Sequence, residues 1–473
     1  MTRQPPVRET SGPKRLQRFV TTIITIVVLL GSTPASADAG DVLWVRPYTQ
    51  LDRDLQGGPG SVAVSPDGAT VYVTGWTQNA TTFEADMVTL AYDASSADLR
   101  WTAFYDGPWA GRDGGTDIVV APQGDRIFVS GYSETALGVY EAVTIGYTAS
   151  TGDLSWVGHS GGKADGVSDL VMGPNGGKVF VLATSDQAQT MMDFVTLAYA
   201  ASGTFLWSKT FDGPAHAEDV PASIGVGPGG GKVFVSGSSV GIGTGIDYAT
   251  IAYETATGGK IWGRRYDGPS NGPDELRSLV ASPNGNTVVV TGSSGRPTGP
   301  EDAVTIAYVA SSGERRWLQR YDSEGHLDDQ VRQLAISPDG SSVALTGSSG
   351  AGTSLDYETI DYRTADGHVR WTRRYDGPAH EADVATEVAF TPDGTRVVVS
   401  GYREGVHAYE TCILTIAYRA STGSTRWIQD YRYDNDEAPA SLAVGPHSHQ
   451  IYVTGISYDG EYRRHELTLA YQA

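Results

Sequence analysis

Apolar and polar positions in residues 38–473 alternate in short runs, and no stretch sustains the i, i+3, i+4, i+7 spacing of an amphipathic helix. Residues Asp247 to Pro269 read as a strand around Thr250, Ile251 and Tyr253, a turn at Ala256-Thr-Gly-Gly259, and a second strand whose alternation puts Trp262, Arg264 and Tyr266 on one face. A different pair of runs precedes such a unit. In Ser61-Val-Ala-Val-Ser-Pro66-Asp-Gly68-Ala-Thr-Val-Tyr-Val73, Pro66 presets φ for a turn and Gly68 supplies the positive φ that returns the chain into a second strand. A single hairpin is marginal in water, so these units must stack on one another.

The pattern repeats. The tyrosine of the third run recurs at Tyr92, Tyr147, Tyr199, Tyr253, Tyr308, Tyr362, Tyr418 and Tyr471, each with a threonine three residues earlier. The turn proline recurs from Pro66 to Pro446 at steps of 52 to 56 residues. The tryptophan of the fourth run follows seven of the tyrosines, from Trp101 to Trp427, and the remaining one stands at the other end, in Gly40-Asp-Val-Leu-Trp44-Val-Arg-Pro-Tyr48. A first strand that completes the last unit closes a ring. The prediction is an all-β, eight-bladed β-propeller formed by residues 38–473 as one domain, and helical solenoids are excluded.

Residues 1–37 read differently. Arg3, Arg8, Lys14, Arg15 and Arg18 precede an apolar run from Phe19 to Leu30 and the small residues Ala35-Ser-Ala37, the pattern of a signal peptide; retention as an anchor is the alternative. The expected location is secreted or cell envelope, with no membrane-integral part after cleavage. The chain carries 34 basic and 55 acidic residues, a formal net charge of −21 that deepens to −25 without this segment. Nucleic acid is therefore excluded as a partner. The one cysteine, Cys412, permits no intrachain disulfide and holds the strand position of Asp86, Asp193, Asp247, Asp302 and Asp356 in other units.

Candidate chemistry is positional. Asp113, Asp165, Asp219, Asp274, Asp329, Asp383 and Glu437 stand nine residues before their turn prolines, where a blade-to-blade loop enters the innermost strand; the first unit has Gly57 there. Seven acids at one ring position point to the mouth of the central channel, where they either accept backbone N–H bonds within their own loops or form a cation-attracting funnel, with Ca²⁺ the hard-oxygen candidate. His216, His326 and His380 stand three residues ahead of three of these acids and form a polar rim. Trp76 and Trp109 are assigned to loops. The inner and outer turns share one face of the disc, and the longer second-to-third and blade-to-blade loops share the other, the face expected to carry function.

The segments Ala91-Tyr-Asp93 to Trp101, Gly146-Tyr-Thr-Ala-Ser-Thr-Gly152 to Trp156 and Ala252-Tyr-Glu-Thr-Ala-Thr-Gly258 to Trp262 resemble the tryptophan-docking repeat of quinoprotein-like propellers. The whole unit, with its Ser-Pro-Asp-Gly turn and Arg-Tyr-Asp-Gly-Pro exit, is similar to bacterial secreted β-propeller repeat proteins. The resemblance covers nearly all of residues 40–473 and implies blade-to-blade docking by the motif residues. The quinone-dependent alcohol dehydrogenases of that group are known for a vicinal disulfide beside the cofactor, which one cysteine cannot form. The expectation is a monomeric, non-catalytic binding or scaffold protein that takes a protein, carbohydrate or small-molecule ligand on its loop face and acidic channel mouth. The alternative is a quinoprotein-like oxidoreductase, lyase or hydrolase acting at that mouth.

Overall fold

A computed structural model describes residues 38–48, 57–78, 84–187, 191–269, 271–295, 299–324, 326–351, 354–405, 411–432, 436–446, 450–458 and 464–473. The signal-peptide reading of residues 1–37 lies outside them. The described residues form 32 β-strands, and no helix among them is long and apolar enough to cross a membrane.

Each unit folds as an antiparallel meander of four strands, a blade. In blade 4 these are Asp219–Val226, Lys232–Gly241, Gly245–Glu254 and Lys260–Tyr266, ordered from the axis outward. The inner turn is made by Pro228-Gly-Gly230 with Gly230 at φ 67°, and the outer turn by Gly258 at φ 66°. The second and third strands pair without interruption from Lys232↔Glu254 to Gly241↔Gly245, burying Val233, Val235, Ile251 and Tyr253 between blades. Blades 1 to 6 are separate four-stranded sheets. Blades 7 and 8 merge into one eight-stranded sheet through a single parallel bridge, Thr411↔Asp436.

The ring closes as the sequence predicts. Val42–Tyr48 pairs antiparallel with Arg464–Gln472, from Val42↔Tyr471 to Tyr48↔Glu466, and Gly40 N–H donates to the Gln472 carbonyl at 2.7 Å. That makes the first strand the outer strand of blade 8.

Tryptophans join the blades. The indole N–H of Trp262 donates to the Ala310 carbonyl of the next blade at 3.1 Å, and its ring lies 6.2 Å from Tyr308. Trp44, Trp101, Trp156, Trp207, Trp317 and Trp371 repeat this bond at 2.8–3.1 Å. Trp427 keeps the ring contact, 6.1 Å to Tyr471, but its N–H has no partner among the described residues. Arg264 adds a bond from Nε to the Gly313 carbonyl at 2.7 Å, so the alternation that puts Trp262 and Arg264 on one face reaches the same neighbouring turn. A buried aromatic of this kind stabilises by roughly 2–3 kcal/mol through area alone.

Two expectations are corrected. Trp76 lies within the strand Thr70–Gln78 and not on a loop; it is paired with Gly58 and Met87 and covered by the Arg464 guanidinium at 5.6 Å. The second-to-third connections are also shorter than expected where they are described. In blades 2 and 4 the strands run on until only Leu137-Gly138 or Ile242-Gly-Thr244 separates them. Extended apolar and β-branched residues prolong the ladder as long as cross-strand partners are available.

Candidate functional site

On the loop face seven of the eight inner strands carry one of the predicted acids at their entry, but the carboxylates do not open onto the channel. Asp113, Asp219, Asp274, Asp329, Asp383 and Glu437 are buried, at most 2% exposed. Asp165 is half-buried and stands at the start of its inner strand, its N–H donating to the Thr184 carbonyl. Five of the acids accept a backbone N–H from the preceding loop: Gly107 to Asp113, Gly213 to Asp219, Gly268 to Asp274, Ser323 to Asp329 and Gly377 to Asp383, at 2.5–2.9 Å. This is the loop-capping arrangement, and it explains the Asp-Gly exit. A Cβ on Gly213 would meet Ser239 Oγ at 2.3 Å and Asp219 Oδ1 at 2.7 Å, so only glycine admits the carboxylate this close.

The side chains face the seam with the preceding blade because every inner strand of blades 1 to 8 shifts register after its first residues, between Pro221 and Ser223 in blade 4. Such a bulge reverses the facing of everything beyond it. The position that faces the following blade near the axis lies five residues before each turn proline. It carries Ser61, Asp117, Asp169, Ser223, Ser278, Gln333, Glu387 and Ser441, eight polar residues of four types. Asp117 accepts the Leu170 N–H, Asp169 the Ile224 N–H, Ser278 the Leu334 N–H, Gln333 the Val388 N–H and Ser441 the Val62 N–H, at 2.6–3.3 Å. Gln333 Nε2 also donates to Glu387 at 2.7 Å. Desolvation raises the Asp169 carboxyl to about 7 and that of Glu387 to about 8, with repulsion among Asp117, Asp169 and Glu387 adding to the effect. This axial belt was missed in the sequence; the constant offset from the proline, not residue identity, is the signal that finds it.

At four seams the strand-entry acid meets two more. Asp193, Asp212 and Asp219 each place a carboxylate oxygen within 4.8 Å of the others, as do Asp247, Asp267 and Asp274; Asp302, Asp322 and Asp329; and Asp356, Asp376 and Asp383. In each trio the first acid lies within the first three residues of the third strand of one blade, the second sits in the exit loop and the third begins the next blade. Burial raises the carboxyls of Asp219, Asp274 and Asp329, and takes Asp193 and Asp383 to about 6. Three trios contain an arginine: Arg265 binds Asp247 at 2.6 Å, Arg320 binds Asp302 at 2.5 Å and Arg374 binds Asp356 at 2.8 Å.

The histidines do not converge. His216, His326 and His380, at φ 50–55°, each place Nδ1 2.6–2.7 Å from the exit-loop acid of their own seam, Asp212, Asp322 and Asp376. They are exposed, as a polar rim requires. Cys412 is buried and its thiol is pushed up by desolvation.

The same face carries apolar tips on consecutive blades. Leu137 is 89% exposed on blade 2, Met191 63% on blade 3 and Ile242 76% on blade 4, with Trp109 at 55% on the loop that enters blade 2. Between blades 6 and 7 a cleft of about 380 Å³ is lined by Leu327, Leu355 and the acids Asp328, Glu381 and Glu404, with no basic group among its lining residues.

Eight meander blades docked by tryptophan define a PQQ-like propeller. Residues 193–440, just over half of the chain, match the family described as outer membrane protein assembly factor BamB (PQQ_2), and the chain belongs to that family. No curated protein matches it. Among solved structures, Sqt1 of Chaetomium thermophilum, bound to the N-terminus of ribosomal protein L10, is similar over 89% of this chain and 98% of its own, with a TM-score of 0.57 and 14% identity. The quinohemoprotein alcohol dehydrogenase of Comamonas testosteroni is similar over 91% and 76%, with a TM-score of 0.57 and 12% identity. At these identities the likeness is one of fold.

Proposed function

We propose that this propeller is a non-catalytic binding scaffold that takes a protein segment on its loop face. The observation that carries the reading is the row of exposed apolar tips, Leu137, Met191 and Ile242, on three consecutive blades. Apolar side chains presented together on a rigid scaffold favour a partner that covers them. The acid excess of the chain selects for basic groups beside the apolar ones, through complementary charge. Sqt1, similar in fold, is bound to the N-terminus of a ribosomal protein. Catalysis has less support, because the acids of the seams recur from blade to blade and the loop-face cleft between blades 6 and 7 has no histidine, lysine or arginine among its lining residues. The reading takes the protein as exported, on the basic-then-apolar character of residues 1–37, and as a monomer, on a ring that pairs its own terminal strands.

Selection of displayed peptides against the full chain tests it. Peptides that mix Lys or Arg with aliphatic or aromatic residues are expected, with affinity reduced at least tenfold by combined Leu137→Glu and Ile242→Glu at unchanged melting temperature. Ligands of any class, carbohydrate and small molecule included, that bind the double variant as well as the parent place the binding surface elsewhere.

A further inference from the structure

The seam between blades 3 and 4 lacks the arginine that pairs with the first acid of each of its three sisters. Arg265, Arg320 and Arg374 stand opposite Ala249, Val304 and Glu358, two residues beyond the first acid of their trios; the position opposite Val195 is Thr210. Asp193 therefore has no arginine. It is 4% exposed, and its Oδ1 is buried without a hydrogen-bond partner among the described residues. Beside it, Asp219 is fully buried, and its Oδ1, like those of Asp274 and Asp383 in two sister seams, lacks a hydrogen-bond partner among the described residues.

The groups around this point come from every element packed there. Asp193 comes from the third strand of blade 3, Asp212 and His216 from the exit loop, and Asp219 from the inner strand of blade 4. Arg265 of blade 4 ends on Ser239 and Asp247 and touches Asp219 only through its field. Asp212, about one-third exposed, lies on the solvent side of the trio. Two buried carboxylates without a countercharge are expensive unless they are protonated or a cation joins them. In the sister seams a guanidinium is that cation.

We propose that Asp193, Asp212 and Asp219 form a divalent-cation site, with calcium as the ion and the arginines of the other seams standing in its place. Hard carboxylate oxygens suit calcium, and one oxygen from each of these three acids lies within 4.8 Å of the others, near enough to share one ion. The site narrows the seven-acid ring to one seam and does not depend on the loop-face partner.

Calorimetric titration of the chelator-stripped full chain with CaCl₂ is expected to show one equivalent bound and a rise in melting temperature on binding. Asp193→Asn abolishes both. Thr210→Arg, which installs the sister arginine, abolishes calcium uptake while the chain melts in chelator at or above the parent temperature. Arg265→Thr, by the same logic, gains a second equivalent. A parent chain that takes up no calcium at millimolar concentration, or uptake unchanged in both Asp193→Asn and Thr210→Arg, overturns the site. The peptide test reads different side chains, so either proposal can fail alone.

Discussion

At Ala97 the backbone stands at φ 60°, in the outer turn where the other blades carry Gly152, Gly203, Gly258, Gly313, Gly367, Gly423 and Gly40 at φ 66–94°. Those glycines lie under the preceding tryptophan; a Cβ on Gly258 would fall 2.8 Å from the Trp207 ring. Alanine in the left-handed region costs roughly 1–2 kcal/mol, partly offset by the larger chain entropy that glycine loses on folding. Ala97→Gly is therefore expected to raise stability by about 0.5–1 kcal/mol, read as a higher urea midpoint with unchanged slope. A lower midpoint means that packing of the Ala97 methyl outweighs the backbone strain. The turn itself was legible in Thr257-Gly258 and its relatives, because turn chemistry is local. Ala97 was not, since Asp93-Ala-Ser-Ser-Ala97 has no glycine and takes its shape from the blade around it. The seam acids were legible as residue types at a fixed offset, and their capping role was one of two open readings. Their direction was not, because a bulge outside any sequence alternation decides it.

Strands show the same division. Period-two runs and prolines located the strands of every blade, but the third strand of blade 8 hides a cost that the pattern does not show. Glu466 occupies the position held by Met87, Phe194, Tyr248 and Tyr357 in other blades, is 2% exposed, has Oε1 without a partner, and is raised by burial to about 8. A carboxyl whose folded pKa is raised binds its proton more tightly in the native state. Its contribution is complete below the unfolded value of about 4.3 and is lost as pH rises toward 8, each unit of difference being about 1.4 kcal/mol. Glu466→Gln is expected to match the parent at pH 4 and to exceed it by a few kcal/mol at pH 8, measured by denaturant unfolding at each pH. Parallel pH profiles of the two proteins would show that Glu466 ionises freely in the fold. Glu387 and Asp169 of the axial belt are raised for the same reason and give the parent a remaining slope in the same direction.

The whole molecule depends on where the ring is joined. Each blade buries its faces only against neighbours, so an open ring exposes two faces and an edge, and closure is worth more than one strand's bonds. The joint was readable because the tryptophan count falls one short after Tyr471 and is completed by Trp44. Which seam differs chemically was not readable, since Thr210 matters only once the register sets it opposite Val195. Removing residues 38–48 takes away the strand paired with Arg464–Gln472, the Trp44 bond to the Ala94 carbonyl and the Arg46 bond to the Ala97 carbonyl. The strand containing Leu467 and Leu469, both fully buried in the intact ring, then becomes an edge. The truncated chain is expected to melt lower and to self-associate, seen by light scattering and size-exclusion chromatography. A synthetic peptide of residues 38–48 added in trans is expected to restore the parent's melting temperature and elution volume, because the edge it fills has one register, fixed by Val42↔Tyr471 and Tyr48↔Glu466. A peptide with Trp44 replaced by alanine tests whether closure rests on the ladder alone: equal rescue assigns it to backbone pairing, and failed rescue assigns it to the tryptophan dock that joins every other pair of blades. A truncated chain that keeps the parent's elution volume and melting temperature refutes closure by this strand.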